Sequence, residues 1–328
     1  MARLSQGICN IPCDSWSCVE QLYAKWGGAN RVYGVIYFIH IPLFLVISGL
    51  LVKDKPIDKD FWLGLLKRFV IPYTVWTVIL TTFYQGFGHL LHDGFWVNLE
   101  VYFCNWCHSF LWFIKAYLVT YILWQILQKL TPLYRLMAGT VLLAVINLCV
   151  QSSSPLAEIA SLSLYSYTLF GAGACIKKYI GKIDTYGVIL FGLCFLLCLP
   201  FATPQNNYFE CSFTHMLETG DWYIFIIRFV AGTSISVALV CIGKLIRARI
   251  SFINNGIIQS VGQRTLQIYM LQSLLVEAAL NRVVHLNNDF VGNIEAFAVA
   301  CLMTILCNVI IQKTMKFNLC KFLLWGTK

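Results

Sequence analysis

The chain reads as an all-α, polytopic transmembrane helical bundle of about nine spans. Three observations carry that reading. Of 328 residues, 59% are hydrophobic and 12% charged, about half the charge of a soluble domain, and mean hydropathy is +0.70. The apolar residues come in long blocks divided by short polar loops, and inside lipid only a helix or a closed barrel satisfies its own backbone. Lys and Arg gather in alternate loops, the pattern that orients membrane spans.

With about 20 apolar residues per crossing, the spans fall at residues 32–52, 69–87, 110–130, 133–150, 156–176, 187–200, 222–242, 265–284 and 291–311. The fifth opens weakly, on Ser152, Ser153, Ser154 and Pro155, with serines continuing inside it; the sixth is short. Lys53, Lys55, Lys59, Lys67 and Arg68 follow the first span, and Lys129 and Arg135 flank the turn after the third. Lys177, Lys178 and Lys182 follow the fifth, Lys244, Arg247, Arg249 and Arg264 the seventh, and Lys313, Lys316, Lys321 and Lys328 the ninth. The loops 88–109, 151–155 and 201–221 hold no Lys or Arg, and the last outer loop adds only Arg282 at its edge. The positive-inside rule then puts the C-terminus in the cytoplasm, and nine spans put the N-terminus outside. Residues 1–31 form a short polar segment with no apolar run suited to a signal peptide or a span. Residues 32–328 form the membrane domain.

A net charge of +9 raises nucleic acid as a partner, but no basic cluster sits among stacking aromatics, so the lipid bilayer is the partner and nucleic acid is not. Of the 14 cysteines, Cys149, Cys175, Cys194, Cys198, Cys241, Cys301 and Cys307 lie in or beside apolar spans, where cysteine acts as a small hydrophobe. Cys104 and Cys107 form a CxxC in a predicted outer loop, without the second ligand pair of a zinc site. Inert or disulfide-bonded cysteines are the expectation, and no metal is expected. No phosphate loop, GxSxG elbow or HExxH is present.

Ionisable residues inside spans are costly and by default mark a functional site. His40, Lys115, Arg228 and Glu277 come from four different spans, each roughly 8–12 Å below the outer surface by helical rise. One wet pocket in the outer half explains a shared stratum. The plainer alternatives are snorkelling of Lys115 and Arg228 to the interface, a structural ion pair for Glu277, and a packing role for His40.

Five segments, in order, resemble the acyltransferase-3 family of membrane O-acyltransferases, particularly its fucose 4-O-acetylase-like branch. Phe38-Ile39-His40-Ile41-Pro42-Leu43-Phe44 with Ser48-Gly49 is similar to that family's Phe-His-Met-Pro-Leu-Phe-Phe-x-x-Ser-Gly helix. Lys67-Arg68 with Pro72-Tyr73 resembles its Lys-Arg-x-x-x-Pro-Tyr, and Leu111-Trp112-Phe113 its Leu-Trp-Phe. Phe170-Gly171 with Lys177-Lys178 follows loosely. Gly262, Thr265, Leu266, Ile268, Tyr269 and Leu271 resemble its late Gly-x-x-Ser-Leu-x-Ile-Tyr-x-x-His helix, with Gln272 where the histidine is expected.

The resemblance implies transfer of an acyl group, usually acetyl, from acetyl-CoA or another acyl-CoA to a sugar hydroxyl of a glycan or glycolipid, in a bacterial-type plasma (inner) membrane. The acyl-CoA is a co-substrate, with no permanently bound cofactor. Lys67 and Arg68 stand where cations meet its phosphates. His40 suits a general base, Lys115 or Arg228 an oxyanion donor, and Glu277 a group that holds the acceptor or a cation. His40 and Arg68 lead the candidate catalytic residues, ahead of Lys115, Arg228 and Glu277. The family's opening helix, with its arginine and histidine, has no counterpart here, which implies a start upstream of Met1 or a truncated and inactive chain. The rival class is a transporter or flippase of a lipid-linked glycan, weakened because no internal repeat is found.

Overall fold

The computed structural model describes residues 31–92, 95–107, 111–150, 155–183, 185–202, 220–249, 264–275 and 290–327. Every regular element among them is helical: α1 Arg31–Leu51, α2 Lys59–Leu65, a π-helical turn Leu66–Val70, α3 Ile71–His92, α4 Phe95–Cys107, α5 Trp112–Ile126 and α6 Pro132–Cys149. There follow α7 Pro155–Ile176, α8 Thr185–Cys198 with a 3-10 turn Leu199–Phe201, α9 Trp222–Arg249, α10 Thr265–Gln272, α11 Phe290–Thr314 and α12 Asn318–Leu323. Among the described residues four helices are long and apolar enough to cross a membrane, at Lys59–Phe83, Pro132–Cys149, Ile159–Ile176 and Trp222–Gly243. Shorter apolar helices lie at Phe38–Leu51, Thr185–Phe201 and Cys301–Thr314.

The chain divides into two units, one of Asn30–Phe61 and Trp112–Asn254, the other of Met1–Ala29, Trp62–Leu111 and Asn255–Lys328. In the first, α7 is the hub, packed by α1, α5, α6 and α9. Small residues let its backbone approach that of α1. A Cβ at Gly49 would stand 1.9 Å from the Phe170 carbonyl oxygen, and one at Gly173 would stand 2.1 Å from that of Val46. Gly139 of α6 faces the Tyr167 ring in the same way. Around Trp124, Tyr167 and Phe170, all at most 1% exposed, aromatic rings meet edge-on or tilted at 5.6–6.2 Å.

These contacts fix helix directions. Phe44 meets Phe113 and Tyr117 near the start of α5, while Lys53 beyond α1 meets Gln125 near its end, so α1 and α5 run parallel. Lys177 Nζ donates to the Val52 carbonyl at 2.6 Å, which makes α7 parallel to both. Arg228 and Gly232 of α9 meet Tyr165 and Leu169 in register, so α9 is parallel too. The Tyr167 hydroxyl donates to the Arg135 carbonyl and Leu143 clusters with Leu164, which makes α6 antiparallel. The α8 helix leaves the Lys177 end, and its last turn clusters with Phe38 and Ala231, so it also runs opposite.

The loop between α1 and α2 is latched to this unit. Arg135, 5% exposed, donates Nη1 to Asp54 Oδ1 at 2.6 Å and Nη2 to Oδ2 at 3.0 Å. Its Nε reaches the Leu130 carbonyl at 2.8 Å, Nη2 also reaches that of Gln128, and the guanidinium lies 5.5 Å from the Trp124 ring centroid. Gln125 accepts from the Lys55 N–H at 3.1 Å and donates to the Lys53 carbonyl at 3.0 Å. Arg135, expected as a loop charge that merely orients the chain, is instead a buried structural cation in the first turn of α6.

In the second unit the described residues of the expected outer loop 88–109, namely 88–92 and 95–107, are helical. The α3 helix continues to His92, and α4 folds back along it. Tyr73 donates to the Trp106 carbonyl, Trp106 Nε1 donates to Thr74 Oγ1 at 3.1 Å, and Thr82 and Tyr102 share a 2.7 Å hydrogen bond. Asn98, Glu100 and Asn105 break the hydropathy of α4, yet its aromatic residues recur at helical spacing. Cys104 and Cys107 therefore lie on a helix. Arg264 Nη1 bonds Asn308 Oδ1 at 3.0 Å, joining the start of α10 to α11.

The Arg135 hydrogen bond holds the Asp54 carboxyl below its ordinary value, with burial opposing and the Arg135 and Lys177 charges assisting. A depressed pKa stabilises the fold above the ordinary carboxylate range and loses that contribution as pH falls through the folded value. Because the Asp54 side chain is 56% exposed, solvent screens the pair, and its contribution at neutral pH is at most about 1 kcal/mol. Asp54→Asn should lower the unfolding midpoint in detergent at pH 7, and the gap to the parent protein should close in acid. A gap independent of pH would assign the effect to packing.

Candidate functional site

Among the described residues of the expected site, Arg228 is the most deeply buried charge. Phe225, Arg228 and Gly232 recur at one-turn spacing on α9 and so share the face turned to α7 and α1. The Arg228 side chain is 5% exposed, and its guanidinium carbon lies 5.6 Å from the Tyr165 ring centroid. Phe225 meets the same ring edge-on at 5.9 Å. A desolvated guanidinium on an aromatic face gains about 2 kcal/mol, a part of what its removal from water costs.

The α7 helix carries further hydroxyls near this level. Ser161, Ser163, Ser166 and Thr168 are all buried. Thr168 Oγ1 donates to the Tyr165 carbonyl at 2.8 Å, whereas Ser163 Oγ and Ser166 Oγ have no hydrogen-bond partner among the described residues. Buried hydroxyls ordinarily find one. These two are therefore ready to accept or donate to water or to a polar guest.

The level of the other candidates follows from packing. A Cβ at Gly232 would lie 2.6 Å from the Pro42 Cβ and 3.4 Å from Leu169. One turn earlier on each helix stand Arg228, Phe38 and Tyr165, so His40 shares their level to within about one turn, ~5.4 Å. His40 and Pro42 are two residues apart and leave α1 on opposite flanks. The His40 side chain is exposed. On its flank Phe44, one turn on, packs against Phe113 at 5.0 Å and Tyr117 at 6.0 Å, and Tyr117 is hydrogen-bonded to Ser48.

Lys115 is half-buried on α5, level with Phe44 and about one turn deeper than His40. It stands two residues from both Phe113 and Tyr117, on the side of α5 away from Phe44. Within this unit His40 and Arg228 thus lie within about one turn of each other, while Lys115 lies about one turn beyond His40 and nearly two beyond Arg228, a looser grouping than one stratum. The three side chains leave their helices on separate flanks, because stratum depends on rise along a helix and direction on rotation about it. Lys67 and Arg68 belong to the other unit, exposed in the π-helical turn. Glu277 lies outside the described residues.

Sequence reasoning did not single out Tyr165 or the hydroxyls of α7. The signal was available in the run 161–168, where serine, tyrosine and threonine interrupt an apolar span. It was read only as weak hydropathy. No group of three or more His, Cys, Asp or Glu side chains suited to a metal ion occurs among the described residues.

A family model described as an acyltransferase domain, acyltransferase-3, matches residues 18–313. Comparison with curated proteins yields no match, and comparison with solved structures yields none.

A double-mutant cycle measures the Arg228–Tyr165 contact. Tyr165→Leu should destabilise the detergent-solubilised protein by about 1–3 kcal/mol, and by about 1–2 kcal/mol less when Arg228 is already Met. Additive losses in the unfolding midpoint would mean that the ring and the cation do not interact energetically.

Proposed function

The chain belongs to the acyltransferase-3 family, and from that premise we propose that it moves an acyl group, typically acetyl, from cytoplasmic acyl-CoA to a sugar hydroxyl of a glycan or glycolipid. The observation that carries the reading is the extent of the family match, from residue 18 to residue 313. Membrane acyltransferase activity follows from the family and the apolar helices. The donor, the acceptor, the plasma-membrane location and the likeness to the fucose 4-O-acetylase branch are the finer part of the proposal.

In this reading an acceptor oxygen attacks the thioester carbonyl carbon. The C–S bond breaks, CoA leaves as its thiolate, and the hydroxyl proton passes to a base. His40 is that base, since a neutral imidazole matches the proton transfer and its exposed side chain leaves room for an acceptor. Lys115, Arg228 or a helix N–H is the donor for the tetrahedral oxyanion. Glu277 holds the acceptor or a cation, and Lys67 and Arg68 take the donor phosphates.

The proposed topology is about nine spans with the last lysines in the cytoplasm. The helix directions support it. The described helices matching the first, third, fifth and seventh spans run one way, and those matching the fourth and sixth run the other, as successive crossings require. A reporter after Lys321 should score as cytoplasmic and one inserted near Gln205 as external. Cytoplasmic labelling at Gln205 would overturn the map.

The chemistry is tested with the full chain in lipid nanodiscs, labelled acetyl-CoA and a panel of glycans, following free thiol and labelled glycan together. His40→Ala should lower transfer by about a hundred- to ten-thousand-fold with an unchanged unfolding midpoint. Transfer that survives this substitution returns His40 to a packing role. Glycan movement across the bilayer with no acyl transfer would favour a transporter.

A further inference from the structure

The π-helical turn that carries Lys67 and Arg68 does not stand by itself. After α12 the residues Leu324, Trp325 and Gly326 turn back onto α3 and that turn. Trp76 of α3, 3% exposed, donates its indole N–H to the Leu324 carbonyl at 2.9 Å. Trp325, also 3% exposed, donates its own to Thr314 Oγ1 at 3.1 Å, and the two indole centroids are 5.5 Å apart. Gly326 follows with φ +60°, a conformation that favours glycine, and its N–H is bound by the Phe322 carbonyl at 3.1 Å.

Gly326 also lacks room for a side chain. A Cβ there would stand 2.7 Å from the Cα and carbonyl oxygen of Arg68 and from the carbonyl oxygen of Lys67, all of them backbone atoms. Two independent requirements for glycine, dihedral and space, thus meet at the residue that lies on the two cations. A π turn is an uncommon winding that occurs mostly as a single turn within α-helices, frequently at functional sites. Its wider circuit narrows the angle between successive side chains, so Lys67 and Arg68 project more nearly together than an α-helix would allow. Both are exposed, and neither uses the clamp for its own charge.

We propose that Trp325 and Gly326 are positioning residues for the donor, a clamp that holds the Lys67–Arg68 backbone so that both cations meet the phosphates of acyl-CoA. The inference rests on the reading that these two residues bind the donor. Trp325 and Gly326 act on the backbone beneath the cations and need not touch the donor themselves. Misplacing a charged hydrogen-bonding group weakens its interaction by about tenfold.

The test uses the full chain in nanodiscs, with CoA binding followed by calorimetry and transfer kinetics followed with acetyl-CoA. Gly326→Ala should raise the CoA Kd and the acetyl-CoA KM about tenfold, with kcat and the acceptor KM within about twofold of the parent. In an Arg68→Ala background it should cost nothing further. Trp325→Phe keeps an aromatic ring, smaller than indole, and removes the N–H, so it should shift the same constant in the same direction and decides the matter if Gly326→Ala fails to fold. A merely structural clamp would lower kcat through lost active protein and leave the KM unmoved, which overturns the proposal. CoA binding indifferent to Arg68→Ala overturns the donor reading and this inference with it. A loss in Arg68→Ala with none in Gly326→Ala or Trp325→Phe overturns the clamp alone.

Discussion

Because α7 is packed by α1, α5, α6 and α9, its backbone must be satisfied without lipid or bulk water, and the unit around it is arranged to that end. Over its span, 83% of residues are buried. Glycine at Gly49 and Gly173 brings two backbones together, which replaces the hydrophobic drive that helices lack inside a bilayer with close dispersion contact. Once α7 is enclosed, each neighbour has its direction and level set, and the level of Arg228 against Tyr165 follows. The polar character of α7 is tolerated because protein rather than hydrocarbon surrounds it.

Two latches repeat one device at a smaller scale. In one unit Gln125, Arg135 and Lys177 bind the carbonyls, an N–H and a carboxylate of the loop after α1, so the basic residues Lys53 and Lys55 are carried on a fixed backbone. In the other, Trp76, Trp325 and Gly326 fix the turn bearing Lys67 and Arg68. In both, the cations expected to face phosphates or anionic headgroups keep their side chains for solvent or ligand. Backbone bonds and ring packing do the holding.

Much of the helical layout was legible in hydropathy. The first span was expected at 32–52 and the helix is Arg31–Leu51; the fourth was expected at 133–150 and the helix is Pro132–Cys149. The hairpin α3–α4 was not legible, because Asn98, Glu100 and Asn105 depress the mean hydropathy of a segment that is helical by aromatic spacing. For His40, Lys115 and Arg228, rise per residue gave the level only to within one or two turns. Their separate flanks were not used, although rotation per residue is equally regular, because a flank acquires meaning only when the neighbouring helix is known.

The sequence by itself determined a membrane-embedded helical protein of the acyltransferase-3 family, since composition, block length and ordered motifs act locally along the chain. Tertiary structure alone decided that Arg135 is a buried structural cation, that Arg228 lies on the Tyr165 ring, and that Gly326 rests on the backbone of Lys67 and Arg68. Each of these joins residues far apart in the chain. Hydropathy and spacing describe how a segment meets its solvent, whereas a contact of this kind depends on which other segment takes the solvent's place.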